Sequence, residues 1–241
     1  MSNLIYGMHS VDGAVRGNHV DQLYVCKDRN SEKVMRVIEA AQKNKIPVSF
    51  MDAQWFKNNF NDNNHQFIAA SSKNDSLSKL SLEDFLANTI KQHFFLILDE
   101  VQDPHNLGAC FRIASAFNLS GIIVPKNNSV GITPVVSKVA SGAVNHIPFF
   151  SVTNLSRTID LLKEHDFFIY AADGYSELSI YDQSFSGNVA LVMGSEGKGI
   201  RRLTKDKCDL TFSIPMTGSI ESLNVSVATG ICVAEIRRKL Q

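Results

Sequence analysis

Five short apolar runs alternate with helical or loop segments from residue 94 onward, and this alternation constrains the fold more than any other feature of the sequence. A buried parallel sheet needs strands that are apolar on both faces and a crossover segment between successive strands. The alternation therefore predicts an α/β domain with a mostly parallel sheet covered on both faces. The predicted strands are Phe94–Leu98, Gly121–Val124, Phe167–Ala172, Val189–Met193 and Leu210–Ile214.

A smaller α/β unit is predicted in the first seventy residues. Ser31 and Asp52 are suited to cap helices there. The polar, serine-rich stretch 71–78 then indicates a connection between domains, although a surface loop inside one domain fits the same composition. The resulting division is a small domain over 1–72, a connection over 73–92 and a large domain over 93–241. Strands of the small domain are predicted at Leu23–Cys26, Pro47–Met51 and Gln66–Ala70.

The charge balance and the cysteines restrict the class of protein. The chain has 24 Lys and Arg against 24 Asp and Glu, so a purely electrostatic coat for nucleic acid is not indicated, whereas RNA binding through local patches remains possible. The longest apolar run, Phe167–Ala172, is far shorter than the ~20 residues of a membrane span. The start of the chain does not resemble a signal peptide, and the four cysteines form no close pair. We expect a cytoplasmic protein with no metal site and no disulfide framework.

Polar loops follow the predicted strands, where ligands bind in parallel sheets. In the first loop, Asn106 is suited to cap the following helix, and His105 is better explained as a turn residue than as a base. Arg112 lies early in that helix. It suits a phosphate or carboxylate ligand, but a solvated surface arginine fits this segment equally well.

Two further loops are unusual in composition. Gly194–Gly199 contains three glycines in six residues, which permits close approach of a ligand to the backbone, although a plain tight turn explains it too. Its spacing fits neither the dinucleotide fingerprint nor the phosphate loop of ATPases. Glu196 in its middle is a candidate ligand for an amine or hydroxyl. The last loop, Pro215–Gly230, turns into a helix at Ser222 or Asn224, whose side chains serve either as caps or as substrate contacts.

Taken together, the three loops resemble the signature motifs of the SpoU (TrmH-like) RNA ribose 2′-O-methyltransferases. Asn106-Leu107-Gly108 with Arg112 and Ala114 matches the first motif, Leu191–Gly199 the second, and Ile214–Met216 with Ser222–Ser226 the third. The resemblance covers 93–241. In addition, Ile5–Val11 and His65-Gln66 resemble the small ribosomal-protein-like RNA-binding domain of family members that methylate guanosine in bacterial 23S rRNA.

The resemblance implies more than the spacing does. It implies a C-terminal trefoil knot, S-adenosylmethionine as cofactor, and a homodimer with the active site near the interface. It implies 23S rRNA or a large-subunit precursor as the substrate. Residues implied to contact the cofactor are Met193, Gly194, Ile214, Met216 and Leu223. Residues implied to face the ribose and its phosphate are Asn106, Arg112, Glu196, Ser222 and Asn224.

Arg112 is the base proposed for this family, but a guanidinium rarely gives up its proton, and clamping a phosphate or the developing alkoxide is equally physical. We expect Asn106 to hold Arg112 in place. Residues 1–72 contain eight Lys and Arg against seven Asp and Glu, so RNA binding there needs a local patch, with Arg16, Lys27 and Arg29 as candidates. Two alternatives remain: a tRNA ribose methyltransferase of the same family, and a non-catalytic RNA-binding or ribosome-assembly protein.

Overall fold

The computed structural model describes residues 4–17, 20–28, 31–60, 65–72, 81–87 and 92–240. The chain divides into two compact units. The first comprises residues 1–80 with 141–146, and the second comprises 81–140 with 147–241. Arg29 and most of the expected connection, 73–80 and 88–91, lie outside the described residues.

The first unit contains a four-stranded sheet in the order β1-β4-β2-β3, in which only β2 and β3 are parallel neighbours. The predicted caps are confirmed, because Ser31 Oγ accepts from the Val34 amide at 3.3 Å and Asp52 Oδ1 accepts from the Trp55 amide at 2.7 Å. Apolar residues of α1 and α2 share a core with the strands. The bounds are β1 Leu4–Tyr6, α1 Met8–Arg16, β2 Val20–Cys26, α2 Glu32–Lys43, β3 Val48–Met51, α3 Ala53–Asn59 and β4 Ile68–Ser72.

The second unit contains a six-stranded sheet in the order β10-β8-β9-β5-β6-β7, and all of its strand pairs are parallel. The predicted α/β fold with a parallel sheet is therefore confirmed. Its strands are β5 Phe94–Asp99, β6 Gly121–Pro125, β7 Phe149–Val152, β8 Phe167–Ala172, β9 Asn188–Gly194 and β10 Leu210–Phe212. Its helices are α4 Leu82–Ala87, α5 Pro104–Ala116, α6 Pro134–Val139, α7 Leu155–Glu164, α8 Arg202–Lys205 and α9 Val225–Lys239.

Two elements of this unit differ from the sequence-based expectation. Helix α4 lies within the stretch expected to be a connection, because its Leu82 and Leu86 are buried in the core of the second unit. Strand β7 was not predicted. It has four residues at the edge of the sheet, and only Phe150 among them is buried, so it lacks the long apolar run of a central strand.

Helix α5 does not begin where expected. Asn106 is not its cap, because Asp103 occupies that position and accepts from the His105 amide at 2.8 Å. Pro104 follows as the first helical residue, where its missing N–H costs nothing. The prediction of Asn106 as the cap was therefore wrong. Its side chain, one turn into the helix and buried, is left for other partners.

Candidate functional site

The loops of interest meet at one edge of the large sheet. Strands β5 and β9 are parallel neighbours, paired from Phe94 and Val189 to Asp99 and Gly194. Their carboxyl ends are consequently side by side. In the sheet, β6 lies on one side of β5, whereas β9 and β8 lie on its other side. The direction in which successive strands are added therefore reverses at β5. Such a reversal opens a crevice outside the strand ends, which is where ligands bind in open parallel sheets.

Three polar side chains join the loops at this edge. The Asn106 side-chain amide donates to Glu196 Oε1 at 3.1 Å. The Asn224 side-chain amide donates to the same oxygen at 2.8 Å and to Asn106 Oδ1 at 3.0 Å. We call Asn106, Glu196 and Asn224 the polar cluster. It links α5, the loop after β9 and the start of α9, so residues from all three family motifs lie within hydrogen-bonding distance of one another.

Asn224 also begins helix α9. Its Oδ1 accepts from the amide of Ser226 at 2.9 Å and from the Ser226 hydroxyl at 2.6 Å. The sequence left Ser222 and Asn224 as alternative starts, and the structure assigns the cap to Asn224. One side chain therefore both fixes the helix and holds the carboxylate of Glu196.

The segment Gly194–Gly199, which we call the glycine loop, folds back tightly on itself. Ser195 and Gly199 exchange backbone hydrogen bonds of 3.1 and 3.0 Å. A Cβ atom on Gly194 would lie 2.1 Å from the carbonyl carbon of Gly199, so no side chain fits there. Gly197 and Gly199 have positive φ angles of 79° and 66°, which glycine adopts without strain. The three glycines thus serve a tight turn that presents Glu196 at its tip.

An ion pair to a buried carboxylate anchors the chain after the glycine loop. Asp99, at the end of β5, is fully buried. Its carboxylate accepts from the Arg201 backbone amide at 3.0 Å and from Arg201 Nε at 2.8 Å. Arg201 also pairs with Glu100 at 3.2 Å. These contacts hold both ends of the glycine loop against the end of β5, since Gly194 pairs with Asp99 in the sheet.

Helix α9 is held along its length. In its first turns, Thr229 faces Cys110 of α5 at 3.9 Å, and burial raises the pKa of that thiol to about 12, so Cys110 is not a nucleophile near neutral pH. At the other end, Arg237 donates to the carbonyls of Phe117 and Asn118 at 2.9 and 2.7 Å, the two residues that follow α5. The two helices therefore position Asn106 against Asn224.

Arg112 and Ser222, both proposed to face the substrate, have exposed side chains. Within the part of the chain that the structure describes, neither side chain has a hydrogen-bond or ion-pair partner. Asn106 does not hold Arg112 as expected, because its amide and its oxygen are engaged with Glu196 and Asn224. The positions are six residues apart on α5 and so lie on different faces of the helix.

The residues expected to contact the cofactor lie on β9 and in the segment after β10. Met193 is buried at the end of β9, Ile214 and Leu223 are partly buried, and Met216 is exposed. The segment 214–223 belongs to no helix or strand. Backbone groups and thioether or aliphatic side chains suit an adenosine. The residues present fit S-adenosylmethionine.

One loop at this edge was not identified from the sequence. Residues 173–178 follow β8, whose carboxyl end lies between those of β9 and β10. The loop is fastened to β10, because the Asp173 amide donates to the Phe212 carbonyl at 2.8 Å. The signal was present in the sequence as an apolar run followed by Asp173-Gly174, but it matches none of the three motifs.

Metal-binding clusters and membrane-spanning helices are absent from the residues that the structure describes. No group of three or more His, Cys, Asp or Glu side chains there is arranged to hold a metal ion. No helix within those ranges combines the length and the apolar character that crossing a membrane requires.

Comparison with known families agrees with the motifs. The SpoU rRNA methylase family matches residues 93–234. A second family, described as RNA 2′-O ribose methyltransferase substrate binding, matches residues 4–76. The resemblance predicted from the three loops and from the beginning of the chain is confirmed.

Individual relatives extend the similarity to the whole chain. The chain is 40% identical over 237 residues to the 23S rRNA (guanosine-2′-O-)-methyltransferase RlmB of Coxiella burnetii, which covers 98% of this chain and 95% of the relative. It is 42% identical over 240 residues to RlmB of Shewanella oneidensis, with 98% and 97% covered. Among solved structures, the SpoU methyltransferase AviRb from Streptomyces viridochromogenes, in complex with AdoMet, has a TM-score of 0.68 at 20% identity and covers 98% of this chain and 89% of that one.

Proposed function

The chain belongs to the SpoU rRNA methylase family, and we propose that it transfers a methyl group from S-adenosylmethionine to the ribose 2′-hydroxyl of a guanosine in 23S ribosomal RNA. The observation that carries this proposal is the polar cluster. Side chains 90 and 118 residues apart in sequence are joined there in one hydrogen-bonded group at the switch point of the sheet. The names of relatives that match nearly the full chain supply the RNA and the base.

Bound S-adenosylmethionine would supply a methyl group on a positively charged sulfur. Gly194, Ile214 and Leu223 would hold it largely through their backbone groups, with Met193 and Met216 against its apolar parts. Positioning the ribose hydroxyl close to that methyl group supplies much of the rate of such a transfer. The polar cluster fixes the loops on both sides of the proposed site. Ser222 offers an exposed hydroxyl two residues before Asn224.

Arg112 acts on the RNA. Its exposed side chain is held by no described residue, so the guanidinium is available to bind the phosphate beside the target ribose in fork geometry. A fixed positive charge there also stabilises the negative charge that develops on the 2′-oxygen as its proton leaves. In the rival role, Arg112 itself accepts the proton of the 2′-hydroxyl. That role requires the guanidinium to lose its own proton first.

The knot and the homodimer belong to this proposal. Strand β10 lies at the edge beside β8, yet α9 packs on α5, which follows β5. The chain after β10 therefore returns across the strand ends. We propose that it passes through a loop of the same unit and so forms a trefoil knot. Exposed apolar side chains at Ile220 and in the first turn of α9, at Val227, support a second copy covering this region.

The small domain over 1–72 is proposed to bind the RNA, followed by a connection over 73–92 that includes α4 and by the catalytic domain over 93–241. The match of residues 4–76 to a substrate-binding family supports this role. Lys27 is exposed and Arg16 pairs with Asp12 at 2.8 Å, so Lys27 is the more available cation of the two. Since the proposed substrate is ribosomal RNA, we place the protein in the cytoplasm.

Two alternative functions compete with this proposal: a tRNA ribose methyltransferase, and a protein that binds RNA without turnover. The first test asks where the methyl group goes. RNA methylated with labelled S-adenosylmethionine is hydrolysed in alkali, which cleaves only beside a free 2′-hydroxyl. Label in alkali-resistant dinucleotides supports ribose methylation. Label in mononucleotides assigns the reaction to a base, and no label with any RNA supports the binding protein.

A further inference from the structure

The most basic stretch of this neutral chain follows the glycine loop. In residues 198–207, which we call the basic segment, five of ten side chains are lysine or arginine and one is aspartate. The whole chain, by contrast, has equal numbers of positive and negative side chains. The basic segment therefore concentrates positive charge beside Glu196.

Helix α8 within the basic segment exposes both a cation and an apolar side chain. The Arg202 side chain is 93% exposed, and its ion pair with Asp206 is long, at 3.8 Å. Leu203 is 75% exposed. Arg201, in contrast, is engaged with the end of β5. Of these two arginines, Arg202 is therefore the one that remains available to a phosphate.

An exposed aromatic ring lies in the loop after β8. Tyr175 is 94% exposed. The loop that carries it is nevertheless well anchored, because Ser176 Oγ donates to the Thr211 carbonyl at 2.9 Å and the Ser213 amide donates to the Leu178 carbonyl at 2.7 Å. The ring is therefore presented to solvent by a fixed backbone.

An ion pair connects the two features. Lys205 of α8 pairs with Asp173 at the start of the Tyr175 loop. The loop that carries Tyr175 and helix α8, which carries Arg202, are therefore joined at the carboxyl edge of the sheet, and α8 follows the glycine loop along the chain. We refer to this loop together with α8 as the surface. The surface combines a flat aromatic side chain with an available cation, and this pairing suits an unpaired nucleotide with its phosphate.

We propose that Tyr175 and Arg202 hold a single-stranded stretch of the RNA substrate beside the target nucleotide, Tyr175 by stacking on a base and Arg202 by binding a phosphate. The proposal rests on the proposed function, because it requires RNA as the substrate. It assigns both residues to substrate positioning. Neither touches the reacting atoms.

The test separates RNA binding from chemistry. Loss of one base–aromatic stack weakens binding about tenfold. We therefore expect Tyr175→Ala to raise the KM for RNA by about that factor, with kcat and the Kd for S-adenosylmethionine near wild-type values. Tyr175→Phe keeps the ring and restores the KM. Tyr181→Ala is the matched control, since Tyr181 is also exposed but lies near the C-terminal end of α9, where Lys239 binds its carbonyl.

Arg202→Ala provides a second measurement. The slope of log binding constant against log salt concentration is negative, and loss of one phosphate contact reduces its magnitude by ~0.7 for single-stranded RNA. If the wild type is active and the KM of Tyr175→Ala for RNA lies within twofold of the wild-type value, the proposal is overturned. A sedimentation shift in that variant would assign the surface to contact between two copies and overturn it too. If the wild type methylates no RNA, the proposed function fails first and this inference fails with it.

Discussion

Asn224 and Glu196 are joined by a hydrogen bond of 2.8 Å in which the amide of Asn224 is the donor. The oxygen of the same side chain caps α9 through the Ser226 amide at 2.9 Å. The donor end therefore serves the site and the acceptor end serves the helix. Substitutions that change one end at a time separate catalysis from stability.

Asn224→Asp retains the acceptor and replaces the donor with a second carboxylate oxygen facing Glu196. We expect the free energy of unfolding to stay within about 1 kcal/mol of wild type, since aspartate caps helices as well as asparagine does. Methyl transfer should fall at least about tenfold, the cost of one hydrogen bond to a charged group. Urea unfolding and initial rates of transfer measure the two. Full activity in this variant would show that the bond to Glu196 does not matter.

Gly194→Ala tests the glycine loop. The added Cβ meets the backbone of Gly199 and Ile200 at 2.1 to 2.4 Å, so the loop has to open. We expect loss of S-adenosylmethionine binding by calorimetry. Gly131→Ala is the matched control, because nothing lies within 4 Å of its Cβ and its φ is not positive. Equal cofactor affinity in both variants would remove the glycine loop from the cofactor site.

Some of this arrangement follows from the sequence alone. Strand β8 has the predicted bounds because Phe167–Ala172 is an uninterrupted apolar run between polar segments, and β5 extends the predicted run by one residue. The cap of α5 was assigned wrongly because Asp103 and Asn106 are both good capping residues. The sequence carried the missed signal, because Pro104 directly after Asp103 favours a helix start at that point.

Long-range contacts could not be predicted from local patterns. Asn106, Glu196 and Asn224 carry no signal that they contact one another, because strand order decides which loops are neighbours. The family resemblance brought these residues into one site, but it did not give their hydrogen bonds. The Asp99–Arg201 pair was missed for the same reason, as its members are 102 residues apart.

Arg112→Ala should reduce methyl transfer at least about a hundredfold, within the range found for removing one group that stabilises developing charge. The Kd for S-adenosylmethionine should remain within a few-fold of wild type, since Arg112 is proposed to act on the RNA. Single-turnover rates and calorimetry measure the two effects. Arg112→Lys tests the fork geometry, because lysine keeps the charge but not the bidentate contact. Near-normal turnover in the alanine variant would contradict both roles of Arg112.

Arg201→Ala removes the partner of a fully buried carboxylate. Breaking a buried ion pair costs ~3–5 kcal/mol, and partial exposure of the Arg201 side chain brings our expectation to about 2 kcal/mol. Chemical denaturation measures the loss. Arg202→Ala, one residue on and exposed, is the control and should change the free energy of unfolding by less than about 0.5 kcal/mol. Equal stability of the two variants would show that the Asp99 pair contributes little.

His93 makes stability depend on pH. Burial lowers its pKa from the ordinary value of 6.5, and its ring lies against Phe95 and Phe167. The unfolded chain therefore binds a proton at a higher pH than the folded protein does. The free energy of unfolding should fall as the pH drops through about 6.5, and this contribution should level off below the folded pKa.

His93→Gln removes that titration and keeps a polar group near Ser120, whose hydroxyl lies 3.0 Å from the His93 Nδ1. We expect the difference in the free energy of unfolding between about pH 7.5 and about pH 5.5 to be smaller in the variant than in the wild type. Urea unfolding at both pH values measures it. The same pH dependence in both proteins would assign the effect to other groups.

Methyl transfer to two RNAs in parallel distinguishes the proposed function most directly from its alternatives. Large-subunit rRNA from cells lacking the protein and bulk tRNA are each incubated with labelled S-adenosylmethionine and then digested to nucleosides. We predict label in 2′-O-methylguanosine from the rRNA and none from the tRNA. Label in tRNA alone, or in any nucleoside other than 2′-O-methylguanosine, would contradict it.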